Sequence, residues 1–544
     1  MYTDITIARK NAFRFFTESR LVTIQKYDMS KLKIGVVDLA ISGPVHTMWA
    51  RVMHANLSSV MPQVVATWCE QEGHDVKIIC YTGFEDLSKE LPQDVDLVFI
   101  CSFTHAALLA YALSNFFRSK GVVTVLGGPH ARCYPDDSAK YFDYVLGFTH
   151  KSTIMEVLDN CEPQGEVGRQ LSARQQPSSL PGVEERWKFV EPTLKKAPLI
   201  KFVPMIGSLG CPYTCSFCID STVAYQPLNF EIMKNDLRFL LGKFKKPIIA
   251  WHDPNFGVRF NENMDAIASV ARPKSFRFIA ESSLSILTED HLKEMNKNGF
   301  IGMLPGIESW YDLGNKSRTA HMAAQEKLEK ISEHVNVILH YIPYVQANFV
   351  LGLDSDSGEE PFELTKRFVD KSPATYPGYS LVSAFGEAAP LNLEYQKVNR
   401  VLPIPFPFLN TSSMNIKPKN YGWVDFYDKL IDLHSYTFSG KAIYKRFAAN
   451  KDFTSKWMNV MRAVTQKGKG GHGRLNFYRL MRKNLVEDRK FRAYFEGETK
   501  VLPKFFSDII QKDLDIWWQW LPKGAIQHDA NAYLHKSTVK KVLT

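Results

Sequence analysis

Cysteine is scarce in this chain, eight residues in 544, and the few present do not pair into a disulfide framework. Three fall within eight positions of SLGCPYTCSFCID (residues 208–220), an odd number. No second CxxC-like pair and no spaced histidine pair follows in STVAYQPLNF, so the usual ligand set of a tetrahedral zinc site is missing. Charge of one sign never forms a long block: a net charge of +10 is scattered along the chain, and no nucleic-acid partner is expected. The amino-terminal MYTDITIARKNAFRFF lacks the apolar core and cleavage site of a secretory signal, which points to a reducing, cytoplasmic setting with free thiols. No uninterrupted membrane-length run exists either, because Ser102, Thr104 and His105 break the long uncharged stretch from Leu97. That stretch reads as a buried strand turning into a helix, and no transmembrane segment is expected. Finally, no GxGxxG follows KIGVVD, which argues against a dinucleotide site, and there is neither an internal repeat nor a low-complexity tract.

What is present is ordinary globular composition, 45% hydrophobic and 23% charged, enough for two or three cores. The pattern predicts an α/β protein. Residues 1–30 are an amino-terminal extension. Residues 31–160 hold KIGVVD, GHDVKIICY, DVDLVFICS, GVVTVLGGPHA and FDYVLGF, β-branched runs alternating with helical stretches, the signature of a Rossmann-like, doubly wound parallel sheet. Such sheets bind ligands beyond the carboxyl ends of their strands, so the loops 42–47, 102–105 and 127–132 are expected to line one crevice. Residues 161–195, rich in Gln, Ser, Pro and Glu, read as a linker or embracing strap. Residues 196–400 repeat strand, polar loop and helix through LIKFVPMIGSLGC, KKPIIAWHDPNFGV, SFRFIAESSLSIL, GFIGMLPGIES and YVQANFVLGLDSD, the rhythm of a partial TIM-type (β/α) barrel. Residues 401–544 are mostly helical and aromatic, and their aromatics read first as packing.

The three clustered cysteines follow the first barrel strand, where barrel chemistry belongs. Three soft thiolates in one loop suit an iron cluster with one corner left open. The other five, Cys69, Cys80, Cys101, Cys133 and Cys161, are solitary and mostly lie in apolar runs, as buried thiols do, so one cluster is expected.

Cys211, Cys215 and Cys218 form CxxxCxxC with an aromatic, Phe217, before the third cysteine. This spacing resembles that of the radical S-adenosylmethionine (SAM) enzymes, and the preceding doubly wound domain with LGGPHA resembles their cobalamin-binding subgroup, over roughly residues 31 to 440. The resemblance implies a 4Fe-4S cluster held by the three cysteines, SAM chelated by the open iron, and Phe217 beside adenine. It further implies SAM contacts from Asp253 and Asn255 in AWHDPNF, Glu281 in FIAES, Glu308 in GIES and Gly352 in FVLGLDSD. Many members carry an arginine where this chain has Ser283. Gly127, Gly128 and Pro129 would let backbone approach a corrin. The DxHxxG motif that supplies a lower axial histidine is absent, so His46 and His105 are not expected as cobalt ligands. The activity implied is methyl transfer to an unactivated carbon: reductive SAM cleavage, hydrogen abstraction from substrate, and transfer of a methyl group from methylcobalamin. A flavodoxin- or ferredoxin-type reductant and a small-molecule or lipid-like substrate complete the expectation. A ring closure or rearrangement that uses cobalamin without methylation, and a binding protein without turnover, remain as alternatives.

Overall fold

The computed structural model describes residues 31–47, 58–197, 201–311, 322–410, 413–467, 473–530 and 532. The amino-terminal extension lies outside them, as do parts of residues 48–72, where the sequence predicts a helix, and of the basic stretch TQKGKGGHGR at 465–474.

Two six-stranded parallel sheets organise the described residues. The first contains β1 (Lys33–Leu39), β2 (Asp75–Tyr81), β3 (Leu97–Ser102), β4 (Val123–Gly127), β5 (Tyr144–Leu146) and β6 (Arg169–Leu171), in the order 2-1-3-4-5-6. This is the doubly wound order that reverses direction between β1 and β3. Its strands are buried on both faces, as six consecutive buried residues in β1 show, because helices cover both sides. Helices Val60–Gln71 and Lys151–Asp159 pack together on one face. Helix Ala107–Arg118 covers the other, and the Leu97 stretch is indeed a strand turning into that helix.

The second sheet contains β7 (Phe202–Met205), β10 (Ile248–Trp251), β11 (Arg277–Ser283), β12 (Phe300–Glu308), β13 (Tyr344–Leu351) and β14 (Tyr376–Leu381), neighbours in strict chain order. Between β7 and β10 a short antiparallel pair, β8 (Ser208–Leu209) and β9 (Gln226–Pro227), brackets the cysteine loop. Along β13 burial alternates residue by residue: Val345, Ala347, Phe349 and Leu351 face the core, while Tyr344, Gln346, Asn348 and Val350 face a half-open side. Glu281 in the interior strand β11 is exposed on such a side, so that face borders open space.

The segment 161–195 does more than link. It supplies β6, the sixth strand of the first sheet, and helix Trp187–Lys196, and it buries Arg186 against Gln63 and the Pro181 carbonyl. From Trp423 onward the described chain is mostly helical. Its aromatic segment Asp515–Trp520 packs on helix Ala107–Arg118 through Phe116, with ring centroids 5.5 Å from Trp517 and 5.0 Å from Trp520.

Candidate functional site

A cleft of about 320 Å³ opens where the carboxyl ends of the two sheets meet. One wall is the rim of the first sheet, including Cys101, Phe103, Gly127, Gly128 and Pro129; the other includes Leu209, Gly210, Asp220 and Val223 around the cysteine loop, with His252 and Pro254. Two of the three loops expected to share a crevice therefore do so. The loop 42–47 does not: Val45 N–H bonds the Gly83 carbonyl, His46 lies 3.1 Å from Asp515, and a Cβ on Gly43 would strike the Asp513 carbonyl. The carboxy-terminal region covers that loop. His105 is not among the cleft-lining residues.

The floor of the first wall has two glycines with different duties. Gly128 sits at φ +92, and a Cβ there would stand 2.9 Å from Cys101 Sγ, so the turn itself excludes a side chain. A Cβ on Gly127 would meet nothing within 4 Å. This is bare backbone beside an apolar cleft, the surface a flat macrocycle needs, so the residues fit such a ligand.

The cysteine loop is built from successive turns: Cys218 N–H donates to the Cys215 carbonyl (3.0 Å), Ser221 N–H to Cys218, and Val223 N–H to Asp220. Gly210 takes φ +67 to enter it, where any Cβ would lie 2.5 Å from the Ala224 carbonyl. Cys211 and Cys215 are buried and Cys218 is half-buried. The Asp220 N–H points at Cys218 Sγ, 3.4 Å away. Among the described residues no three His, Cys, Asp or Glu side chains close on a point that would hold one metal ion. Three thiols on one loop beside a cleft remain a donor set suited to a multi-iron cluster. The other five are poor ligands: burial pushes Cys69 and Cys133 up to about 12 and Cys161 to about 11, and raises Cys80 and Cys101 as well.

The remaining expected residues divide. Asp253, past the end of β10, is buried and accepts hydrogen bonds from Gly207 N–H (2.7 Å) and Ser208 Oγ, so its carboxylate ties the entrance of the cysteine loop to β10. Burial raises its pKa to about 6. Asn255 accepts from Ser283 N–H (3.2 Å) and Ser282 Oγ, tying β10 to β11. Both side chains thus hold the frame of the site. Ser283, in place of an arginine, is part of that tie. Glu281 projects from the half-open face. Glu308 is half-buried at the end of β12, with φ +66, and its carboxylate folds over Gly306, where a Cβ would lie 2.2 Å from Oε1. A non-glycine residue in that conformation carries strain of about 1–3 kcal/mol. Gly352 also has positive φ, but the close approach there is to Met414 and Phe426, both buried, rather than to the cleft. Phe217 is half-buried within the loop.

Sequence reasoning missed three groups. Arg132 on the first rim pairs with Asp220 on the cysteine loop at 3.1 Å, both side chains mostly buried. Nothing in the sequence links two residues 88 positions apart. His252 faces the cleft, and the surrounding walls, with Arg186 behind them, hold its imidazole below its ordinary value. Third, the segment 384–391 joins both halves: Tyr134 Oη donates to the Ala384 carbonyl and Glu387 N–H to Cys133, while Leu391 N–H donates to Ser216 and Thr222 Oγ to Ala388.

No family model matches the chain. It is similar to two curated proteins of Chlorobaculum tepidum: bacteriochlorophyllide d C-12(1)-methyltransferase, 24% identical over 65% of this chain and 78% of the relative, and bacteriochlorophyllide d C-8(2)-methyltransferase, 23% identical over 69% and 84%. Among solved structures, its fold is similar to that of the cobalamin-dependent SAM radical enzyme OxsB with aqua-cobalamin bound, at TM-score 0.52 and 11% identity over 93% of this chain and 83% of that one. It is also similar to the radical SAM methyltransferase TsrM from Kitasatospora setae, at TM-score 0.50 and 11% identity over 88% and 99%.

Proposed function

We propose that this chain is a cobalamin-dependent radical SAM enzyme that methylates an unactivated carbon. The second sheet, on this reading, is the open (β/α) barrel of such enzymes and the first sheet the corrin-binding domain. The observation that carries the reading is the single cleft with the bare Gly127 backbone on one wall and the flanks of the Cys211–Cys218 loop on the other. The likeness to methyltransferases favours methyl transfer over rearrangement.

When bound, a cluster held by Cys211, Cys215 and Cys218 supplies the electron for SAM cleavage, and a corrin on Gly127, Gly128 and Pro129 supplies the methyl group. The chain's own work is to position and to shield. Asp253 and Asn255 fix the loop entrance and the β10–β11 rim, so the thiols are presented from a rigid base. Glu281 and Glu308 offer carboxylates to the ammonium end of SAM. Phe217 offers a ring face to the adenine. The Arg132–Asp220 pair and the segment 384–391 hold the corrin wall against the cysteine loop and limit water entry.

The test is anaerobic reconstitution with iron, sulfide, SAM, reductant and methylcobalamin, assayed for 5'-deoxyadenosine and S-adenosylhomocysteine. Both products support methylation. 5'-Deoxyadenosine alone would assign rearrangement, and neither product would leave a binding protein.

A further inference from the structure

The helix Phe453–Lys467 is amphipathic the wrong way round. Ser455, Asn459 and Arg462 fall on one face and turn into the protein: Ser455 and Asn459 are buried, and Arg462 bonds Tyr344 Oη and Gln346 at the amino end of β13. Phe453, Trp457, Val460 and Val464, at i, i+4, i+7 and i+11, form an apolar stripe on the opposite face. Phe453 is 74% exposed, Trp457 47%, and Val460 and Val464 are partly exposed. The neighbouring helix Gly440–Ala449 adds Tyr444, 72% exposed, and Phe447, whose ring meets Trp457 edge-on at 5.6 Å. A helix that buries its polar side and offers aromatics outward is built for a partner.

Charge says which kind. Residues 440–467 hold seven Lys or Arg and the single Asp452, a net +6 in a chain whose total is +10. Arg446 and Arg462 point inward, while Lys441, Lys445 and Lys451 are exposed and Lys456 lies 5.3 Å over the Phe447 ring. Of the acids nearby, Asp452 caps Ser455 N–H, and Asp370 is engaged by Lys445 and Tyr436. A second copy of the chain would bring like charge, and a nucleic acid would leave the valine stripe without a role. Lysines rimming exposed Phe, Trp and Tyr on an interfacial helix match an anionic bilayer surface. No helix among the described residues is long and apolar enough to cross a membrane, so the contact is with one leaflet.

We propose that the helical hairpin 440–467 docks this protein on anionic phospholipid membranes, its apolar stripe inserted at headgroup depth and its lysines on the lipid phosphates. Arg462 places the surface at the amino end of the second sheet, opposite the cysteine loop, so the cleft stays open to water for SAM and reductant.

Purified full-length protein is to be floated with vesicles of phosphatidylcholine alone and of phosphatidylcholine mixed with phosphatidylglycerol. Binding to the mixed vesicles only, weakened by salt, is expected. Phe453→Ser with Trp457→Ser should abolish it, and each of Lys441→Glu and Lys451→Glu should lower partitioning about fivefold or more. Circular dichroism and SAM cleavage should be unchanged in all three variants. Equal binding to both vesicle types, binding untouched by these changes, or retention of RNA or a dimer lost in the variants without any vesicle binding would each overturn the proposal.

Discussion

The two parallel sheets solve opposite problems with the same units. The first reverses its strand order between β1 and β3, buries both faces, and leaves only its carboxyl rim for a ligand; that rim is mostly glycine, proline and apolar side chains, with Arg132 tied to Asp220. The second keeps chain order and leaves one face half-open, carrying Glu281, Glu308, Gln346 and Asn348. Strand order thus decides whether a sheet offers an edge or an interior. An apolar edge suits a large flat ligand, and a polar interior suits a charged small one.

The largest effect that sharpens this contrast belongs to the loop between the sheets. Cys215→Ala should reduce iron and acid-labile sulfide after reconstitution to background, with loss of 5'-deoxyadenosine formation; retained cluster absorbance would assign the ligands elsewhere. Next, on the polar face, Glu308→Gln should raise KM for SAM about tenfold to a hundredfold, the value of a charge-assisted contact to an ammonium, and leave cobalamin affinity unchanged. The apolar rim should behave the other way. Gly128→Ala should lower thermal stability, since the backbone there is left-handed and crowded. Gly127→Ala should leave stability alone and weaken cobalamin binding measured by absorbance titration. If the two glycine changes act alike, the distinction between turn and floor is wrong.

The smallest effect concerns pH. Asp253 has a folded pKa of about 6 against 3.8 ordinarily, raised by burial, so the folded state binds more protons across that window. Its contribution to stability therefore grows as pH falls from about 6 toward 4 and diminishes as pH rises through 6. The melting-temperature difference between wild type and Asp253→Asn should shift in favour of wild type between pH 7 and pH 5. A constant difference would mean that the carboxyl does not titrate there.

Much of this was legible locally. The β-branched runs, the strand turning into a helix after Leu97, and the CxxxCxxC loop following a strand are short-range patterns, and each folds where it was read. What escaped is non-local or atypical. β14 carries Pro377 and Gly378, residues that speak against a strand, and β6 is three residues in a Gln-rich stretch. The resemblance offers Asp253 and Asn255 as SAM contacts, but it does not show their hydrogen bonds to Gly207, Ser208 and Ser283, which lie on other segments of the chain. The lysines look scattered in one dimension, and the hairpin 440–467 brings Lys441, Lys445, Lys451 and Lys456 together.

The segment 384–391 is sewn by main-chain and hydroxyl bonds to Cys133 and Tyr134 on one side and to Ser216 and Thr222 on the other. The gap between the Gly127 wall and the Cys211–Cys218 loop is then a fixed slot rather than a jaw. On the function proposed above, selection among substrates is then a matter of thickness: a molecule thin enough to slide in edgewise meets both walls, and a bulky one meets neither.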